Sequence, residues 1–278
     1  MRRFLLKTGL WMVVLLVPML VIEQYLQRNK DYMKYLIGPE VFTALTNSKT
    51  SSGKSVLILG DSVCNQLYPS DEVYPNAVSL ACNRALTVAG HYFLMKNYVS
   101  ANQEALPDTV VLILTPYSVQ NQLDRFAYHY MLKNFLTKEY KGDFNDELWT
   151  QVRKIPVYWT APLPFIRVSN YSPEYNPEPD DSFVLFSPIS RTYLTRISEL
   201  ADSIHARFFF YCPPVDAGQR DKWEQAFEES AKREEVPEAL FEEYTGSVEF
   251  VEDVIHDRLH FREDCIPEDY FHLISDKK

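Results

Sequence analysis

Three side chains in this sequence could together perform nucleophilic acyl chemistry: Ser62, Asp257 and His260. Ser62 stands in Leu59-Gly60-Asp61-Ser62-Val63, directly after an apolar run. There a glycine permits a sharp exit from a strand, and amides at the start of a following helix can hold an oxyanion. Asp257 and His260 lie three residues apart in Val254-Ile255-His256-Asp257-Arg258-Leu259-His260-Phe261. An aspartate at that offset can bond the histidine Nδ1, fix its tautomer and leave Nε2 to take the serine proton. Each half also has a plain structural reading, because Gly-Asp-Ser alone is a three-letter match and Asp257 with His260 could form a surface turn. Together on one chain they supply a nucleophile, a base and an orienter.

Such residues need a scaffold that brings a position near 60 against one near 260. Four short apolar segments have the length and the β-branched or aromatic content of buried strands: 55–59 (SVLIL), 77–81 (AVSLA), 109–114 (TVVLIL) and 207–211 (RFFFY). Helical patterns over 84–99, 190–206 and 220–234 separate them. Strands alternating with helices predict a parallel sheet covered on both faces, with ligands bound beyond the carboxyl ends of the strands. Ser62 would then stand where the sheet opens to ligands. Asp61 reads as a structural turn residue, with Cys64 and Asn65 starting the next helix. Residues 138–187 break the alternation with interleaved aromatics and prolines, including the acidic piece SPEYNPEPDD. That insertion could be a lid or a carbohydrate-facing platform, or could simply pack its aromatics onto the core.

The 278 residues are 46% hydrophobic and 24% charged, which suits a globular protein and excludes a disordered one. Eight glycines against 18 Tyr and 17 Phe exclude glycine-rich repeats and predict an aromatic core. The net charge is −10, and five of the 28 basic residues lie in the first thirty positions beside one acid, leaving 23 basic against 37 acidic residues, a net −14. A body of that charge repels polyanions, so no nucleic-acid partner is expected. Phe4 to Ile22 is almost continuously apolar, long enough to span a bilayer if Lys7 snorkels, and no small-residue cleavage site follows it. Arg2, Arg3 and Lys7 precede it, which predicts a cytoplasmic N-terminus and an exported body, with Arg28, Lys30 and Lys34 pulling the other way. The organisation read from the sequence is thus an anchor over 1–30, a linker over 31–53 and an α/β domain over 54–278.

At the Gly60-Asp61-Ser62 and Asp257-to-His260 motifs the chain resembles the SGNH (GDSL-like) hydrolase superfamily, whose nucleophile follows the first strand in a Gly-Asp-Ser motif and whose Asp-x-x-His lies near the C-terminus. The resemblance covers residues 54 to 265. It implies a flavodoxin-like three-layer α/β sandwich and ester hydrolysis or acyl transfer without a cofactor. The N-terminal anchor and the insertion look like the membrane-bound bacterial branch, single-pass in the inner membrane with the catalytic domain outside the cytoplasm. Its better-known relatives act on acyl groups of cell-surface polysaccharides. That analogy suggests an acyl-ester or glycan substrate, with acetyl the natural acyl group, and envelope polysaccharide-modifying partners.

The chain departs from the family pattern in its two middle blocks. The usual glycine of the second block is replaced by Ala81-Cys82-Asn83-Arg84, leaving the Cys82 or Asn83 amide, or the Asn83 side chain, to assist the Ser62 amide at the oxyanion. The third block reads Thr115-Pro116-Tyr117-Ser118-Val119-Gln120-Asn121, so Asn121 or Ser118 would have to replace the usual asparagine or else serve as cap and turn residues. Removing one oxyanion donor costs about 100- to 1000-fold in rate. The alternative is therefore a catalytically inactive member of the fold acting as a membrane-tethered binding or scaffold protein. His256, Asp257, His260 and Asp264 invite a metal reading if helical, but Arg258 stands where a metal-binding helix would place no cation, and no metal is expected. His91, His129, His205 and His272 show no partner pattern and read as core or solvated residues. Four cysteines, Cys64, Cys82, Cys212 and Cys265, lack any C-x-x-C spacing and fit either buried thiols or a disulfide in an exported body.

Overall fold

A computed structural model describes residues 1–178 and 181–274. α1 (Arg2–Arg28) spans 27 residues, about 40 Å at 1.5 Å per residue. It is long and apolar enough to cross a membrane. Its apolar side chains face outward until Glu23 and Leu26 reach the body. α2 (Lys30–Ile37) starts at Asn29, whose side chain accepts from the Tyr32 amide, and α3 (Pro39–Ser48) follows Gly38 at φ +82°. The expected linker over 31–53 is therefore mostly two helices. Leu36, Ile37, Val41 and Ala44 are buried in the main core, so this segment belongs to the folded body. Its apolar residues are too few and its helices too short for the periodicity to stand out against the polar residues around them.

The chain continues through β1 (Val56–Gly60), α4 (Ser62–Leu67), β2 (Ala77–Ser79), α5 (Thr87–Ala101), β3 (Thr109–Ile113), α6 (Pro116–Val119), α7 (Lys133–Phe135), α8 (Asp146–Lys154), α9 (Pro188–Ser203), β4 (Arg207–Tyr211), β5 (Val215–Asp216), α10 (Arg220–Lys232), α11 (Glu238–Gly246) and β6 (Phe250–Val251). The fold is mixed α/β. Strands β1 to β4 form a parallel sheet in the order β2-β1-β3-β4, and β5 pairs with β6 separately. Each predicted strand is present within two residues of its expected ends, because a run of apolar β-branched or aromatic residues is bounded by polar residues, Gly or Pro. The chain runs from β1 outward to β2, then returns past β1 to β3. Its direction thus reverses at β1, the position at which an open parallel sheet offers a crevice to ligands.

Alternate strand residues enter different clusters, as the two-residue period requires. Leu57, Leu59, Val110 and Leu112 join a large cluster with Phe93 and Tyr98 of α5, Tyr193 of α9 and Trp223 of α10. Ile58, Val111 and Ile113 join a smaller cluster with Val63, Cys64 and Leu67 of α4 and with Phe261. That second cluster ties the serine helix and the histidine segment to the same strands. Aromatic padding is plain around Phe93, whose ring lies 5.1 Å from that of Phe135, 5.5 Å from Tyr140 and 5.4 Å from Phe144.

The insertion over 138–187 packs mainly onto the large cluster. Leu148, Val152, Ile155, Ala161 and Val168 are buried there, with Trp149, Tyr158 and Tyr175 half-buried against it. Trp159, Phe165 and Tyr171 stay exposed. Residues 179–180 of the acidic proline-rich piece lie outside the described residues. All four cysteines are free thiols, three of them buried.

Candidate active site

The serine turn is built by packing constraints at three consecutive residues. Gly60 ends β1 opposite Ile113. A Cβ there would stand 2.3 Å from the Ile113 carbonyl oxygen and 2.4 Å from Cys64 Cβ, so only glycine fits. Asp61 is 1% exposed and caps α4, its Oδ1 accepting from the amides of Val63 at 3.0 Å and Cys64 at 3.3 Å. Its Oδ2 accepts from the Thr115 amide and hydroxyl, both at 2.8 Å, and from Ser118 Oγ at 2.5 Å. One buried carboxylate thereby joins the β1–α4 turn to the β3–α6 turn. Asp61 is a structural residue, as its place in the motif predicts, and it reaches further than a turn.

Ser62 is the first residue of α4, and its Oγ lies 2.8 Å from His260 Nε2. His260 Nδ1 lies 2.7 Å from Asp257 Oδ2. The second oxygen of Asp257 accepts from the amides of Leu259 at 3.0 Å and His260 at 2.7 Å. With Nδ1–H donating to the carboxylate, Nε2 is the acceptor for the serine hydroxyl. Burial is the largest single influence on the Asp257 pKa and raises it, but the bonds from the His260 ring and amide, the charge of His260 and the bond from the Leu259 amide together outweigh it and hold the carboxyl at about 2. Asp257 is therefore anionic throughout the neutral range. The His260 and Asp257 side chains are 29% and 42% exposed, so the relay opens onto the protein surface. Surface cavities of about 710 and 660 Å³ lie away from the relay, lined by residues 230–242 and by residues from 120 to 183.

The histidine segment is a loop closed by an antiparallel bridge between Ile255 and Phe261, with the His256 amide donating to the His260 carbonyl at 3.0 Å. The helical spacing that a metal reading of His256 and His260 requires is not formed, and their rings lie 6.3 Å apart. Among the described residues no group of three or more His, Cys, Asp and Glu is placed to hold a metal ion. Gln66, one helical turn after Ser62, grips the loop at both ends of its amide: Nε2 donates to the Phe261 carbonyl at 3.1 Å and Oε1 accepts from the Phe261 amide at 3.0 Å. Gln66 is thus a positioning residue for His260. No local pattern marks it, because Gln66 and Phe261 are 195 residues apart in the chain.

The oxyanion candidates separate clearly. The Ser62 amide has no hydrogen-bond partner among the described residues, since Asp61 takes the next two amides instead. The Asn83 amide donates to the Cys82 thiol, and its side-chain Oδ1 caps the following turn by accepting from Ala85 at 2.9 Å, leaving Nδ2 without a partner among the described residues. The Cys82 amide does not qualify, because it donates to the Gly60 carbonyl at 2.9 Å and extends the sheet pairing. Asn121 spends one of its two Nδ2 hydrogens on the Arg84 carbonyl at 2.8 Å, which makes it a strut under the 83–86 turn. Ser118, the other replacement considered for the third block, is committed to Asp61.

Glu40 enters the site from α3, a segment the sequence reading assigns to a linker. Its Oε2 is buried without a partner among the described residues, and burial raises its pKa while the charge of His260 opposes the rise. No local motif marks it; only the packing of α3 against the body brings it near.

No family model matches this sequence, and no curated protein matches it. Among solved structures it is similar to a protein from Streptococcus pneumonia, provisionally described as a platelet activating factor, at 11% identity over 86% of this chain and 91% of that one, with a TM-score of 0.34. That overlap is too low to carry an inference about fold or activity.

Proposed function

We propose that this protein is a membrane-anchored serine esterase or O-acyltransferase of the SGNH type. The observation that carries the reading is the continuous relay from Ser62 Oγ through His260 to Asp257, at 2.8 and 2.7 Å, beside an unclaimed Ser62 amide. In this reading Ser62 Oγ attacks the carbonyl carbon of an ester as its proton passes to His260 Nε2. The carbonyl π electrons move onto oxygen, and the Ser62 amide and Asn83 Nδ2 donate to the resulting oxyanion. Collapse expels the alcohol, which takes the proton from His260 and leaves an acyl-serine. Water or a glycan hydroxyl then attacks the acyl carbon, with His260 again accepting the proton. Hydrolysis and transfer share this chemistry and differ only in the second nucleophile.

The finer architecture we assign is the flavodoxin-like three-layer sandwich, which the parallel order β2-β1-β3-β4 and the two clusters on alternate strand residues support. The apolar α1 supports a single-pass anchor, and the basic residues before it favour a body outside the cytoplasm of a bacterial cell. The exposure of the relay suits an ester carried on a polymer, and we assign acyl esters of cell-surface glycans, acetyl foremost, as the substrate class. Proteins that build or modify envelope polysaccharides are the corresponding partners.

The test is reaction of the full chain, in neutral detergent, with a fluorophosphonate probe read by intact mass. Wild type should gain one adduct, and Ser62→Ala and His260→Ala should gain none. A folded wild type that stays unlabelled favours the second reading, an inactive scaffold, for which the commitment of Asn121 and Ser118 to structural bonds is the supporting observation.

A further inference from the structure

Lys133 is a buried cation without an anion. It is 2% exposed, its ammonium donates to the Ser169 carbonyl and lies 5.9 Å from the Tyr128 ring centroid, and no carboxylate pairs with it among the described residues. Burial lowers its pKa to about 8, which leaves it protonated at neutral pH. An ammonium has three donors, so two are unspent here. Lys133 lines a cavity of about 200 Å³ with Gln27, Asn134 and Arg167 among its neighbours. Arg167 also forms no ion pair among the described residues. Two cations thus face one small cavity in a chain whose net charge is −10. A buried charge without a counter-ion is strongly unfavourable, and an anion in the cavity removes the penalty.

The position of the cavity identifies the source of that anion. Gln27 lies five residues beyond Ile22, the end of the apolar run, which is about 8 Å along the helix axis. Lipid headgroups occupy that depth outside the hydrocarbon core. A second, independent feature points the same way: Trp159, Leu163, Phe165 and Tyr171 are 59%, 41%, 41% and 44% exposed on the segment that carries Arg167. Exposed aromatic and apolar side chains on a segment that meets the end of the apolar helix at the Gln27–Arg167 cavity are what an interfacial belt requires. The segment is fixed to α2 by Tyr32, whose hydroxyl donates to the Val168 carbonyl at 2.7 Å.

We propose that Lys133 and Arg167 bind the phosphate of an anionic phospholipid at the bilayer surface from which α1 emerges, with the exposed side chains of residues 159–171 seated in the adjoining headgroup layer. The lipid would fix the body relative to the membrane. This proposal rests on insertion of α1 and is independent of the chemistry at Ser62.

The full chain, stripped of lipid in neutral detergent, is mixed with phosphatidylglycerol or phosphatidylcholine of identical acyl chains, and bound lipid is read by native mass spectrometry. Wild type and Ser62→Ala should retain one phosphatidylglycerol at least tenfold more tightly than phosphatidylcholine. Lys133→Met and Arg167→Gln should lose that preference. Arg167 is only half-buried, so its variant keeps the test decisive if Lys133→Met does not fold. Equal retention of the two lipids, or an unchanged preference in a folded Arg167→Gln, overturns the proposal. Thermal protection by inorganic phosphate as large as that by phosphatidylglycerol, without any lipid preference, also overturns it and assigns the cavity to a soluble phosphate. Flotation with phosphatidylcholine vesicles reads anchoring separately. A chain that fails to float overturns the membrane reading and the lipid site together, whereas one that floats without lipid preference overturns the site alone.

Discussion

His91 on α5 is 1% exposed, and neither ring nitrogen has a hydrogen-bond partner among the described residues. Burial lowers its pKa from 6.5 to about 4, against an opposing pull from the charge of Asp61. The sign follows from the reference states. The unfolded chain takes up a proton near pH 6.5 and the folded protein resists until about pH 4, so the stability associated with a neutral His91 is complete above 6.5 and is lost as pH falls between the two values. At about 1.4 kcal/mol per pH unit the whole interval amounts to roughly 3 kcal/mol. Between pH 7 and 4.5 most of it, about 2.5 kcal/mol, should be lost, which for a chain of this size is roughly 5–10 °C in Tm. His91→Leu fills the same space without a titrating group. The assay is thermal unfolding of the full chain in neutral detergent at pH 7 and pH 4.5, wild type beside variant. Carboxylates elsewhere lower both curves as the pH falls, so the readout is the difference between the two proteins. Wild type should lose roughly 5–10 °C more than His91→Leu. Parallel losses would refute the reasoning and mean that His91 is hydrated or partnered in solution.

Two further outcomes follow from the serine turn. Gly60→Ala forces a Cβ to 2.3 Å from a backbone oxygen that cannot rotate away, and should cost about 3 kcal/mol or more together with Ser62 reactivity; a Tm within about 1 °C of wild type contradicts this. Asp61→Ala removes the acceptor of five donors, and since the Thr115 and Ser118 hydroxyls lie 3.0 Å apart and can bond each other, it leaves at least four unpaired, at about 1–3 kcal/mol for each that water cannot reach. It should lower Tm more than Asp257→Ala, whose carboxylate lies at the surface, and the reverse order in the same melting experiment would remove the structural role assigned to Asp61.

The sheet was legible because strands β1, β3 and β4 are short apolar runs with clear ends, and a one-dimensional pattern suffices to mark them. The serine, histidine and aspartate were legible because two of them lie within a few residues of each other and the third follows a strand through a glycine. What failed in the sequence reading shares one cause. The Cys82 amide is a donor of the right chemistry, but whether a donor is free depends on the partner the fold gives it, here the Gly60 carbonyl. Residues 31–53 looked like a linker because α2 and α3 bury only a few apolar residues each, against a core formed by distant strands.

The sequence alone determined the order of strands along the chain, the apolar N-terminal helix and the residue types able to form a serine relay, since each follows from local composition or spacing. Tertiary structure decided which groups meet. Ser62 and His260 are 198 residues apart and touch only because Phe261 packs into the cluster formed by β1, β3 and α4 while Gln66 holds the loop. The burial of Lys133, the orphaned nitrogens of His91 and the approach of Glu40 are likewise properties of packing, which sets the environment of a charge independently of its sequence neighbours.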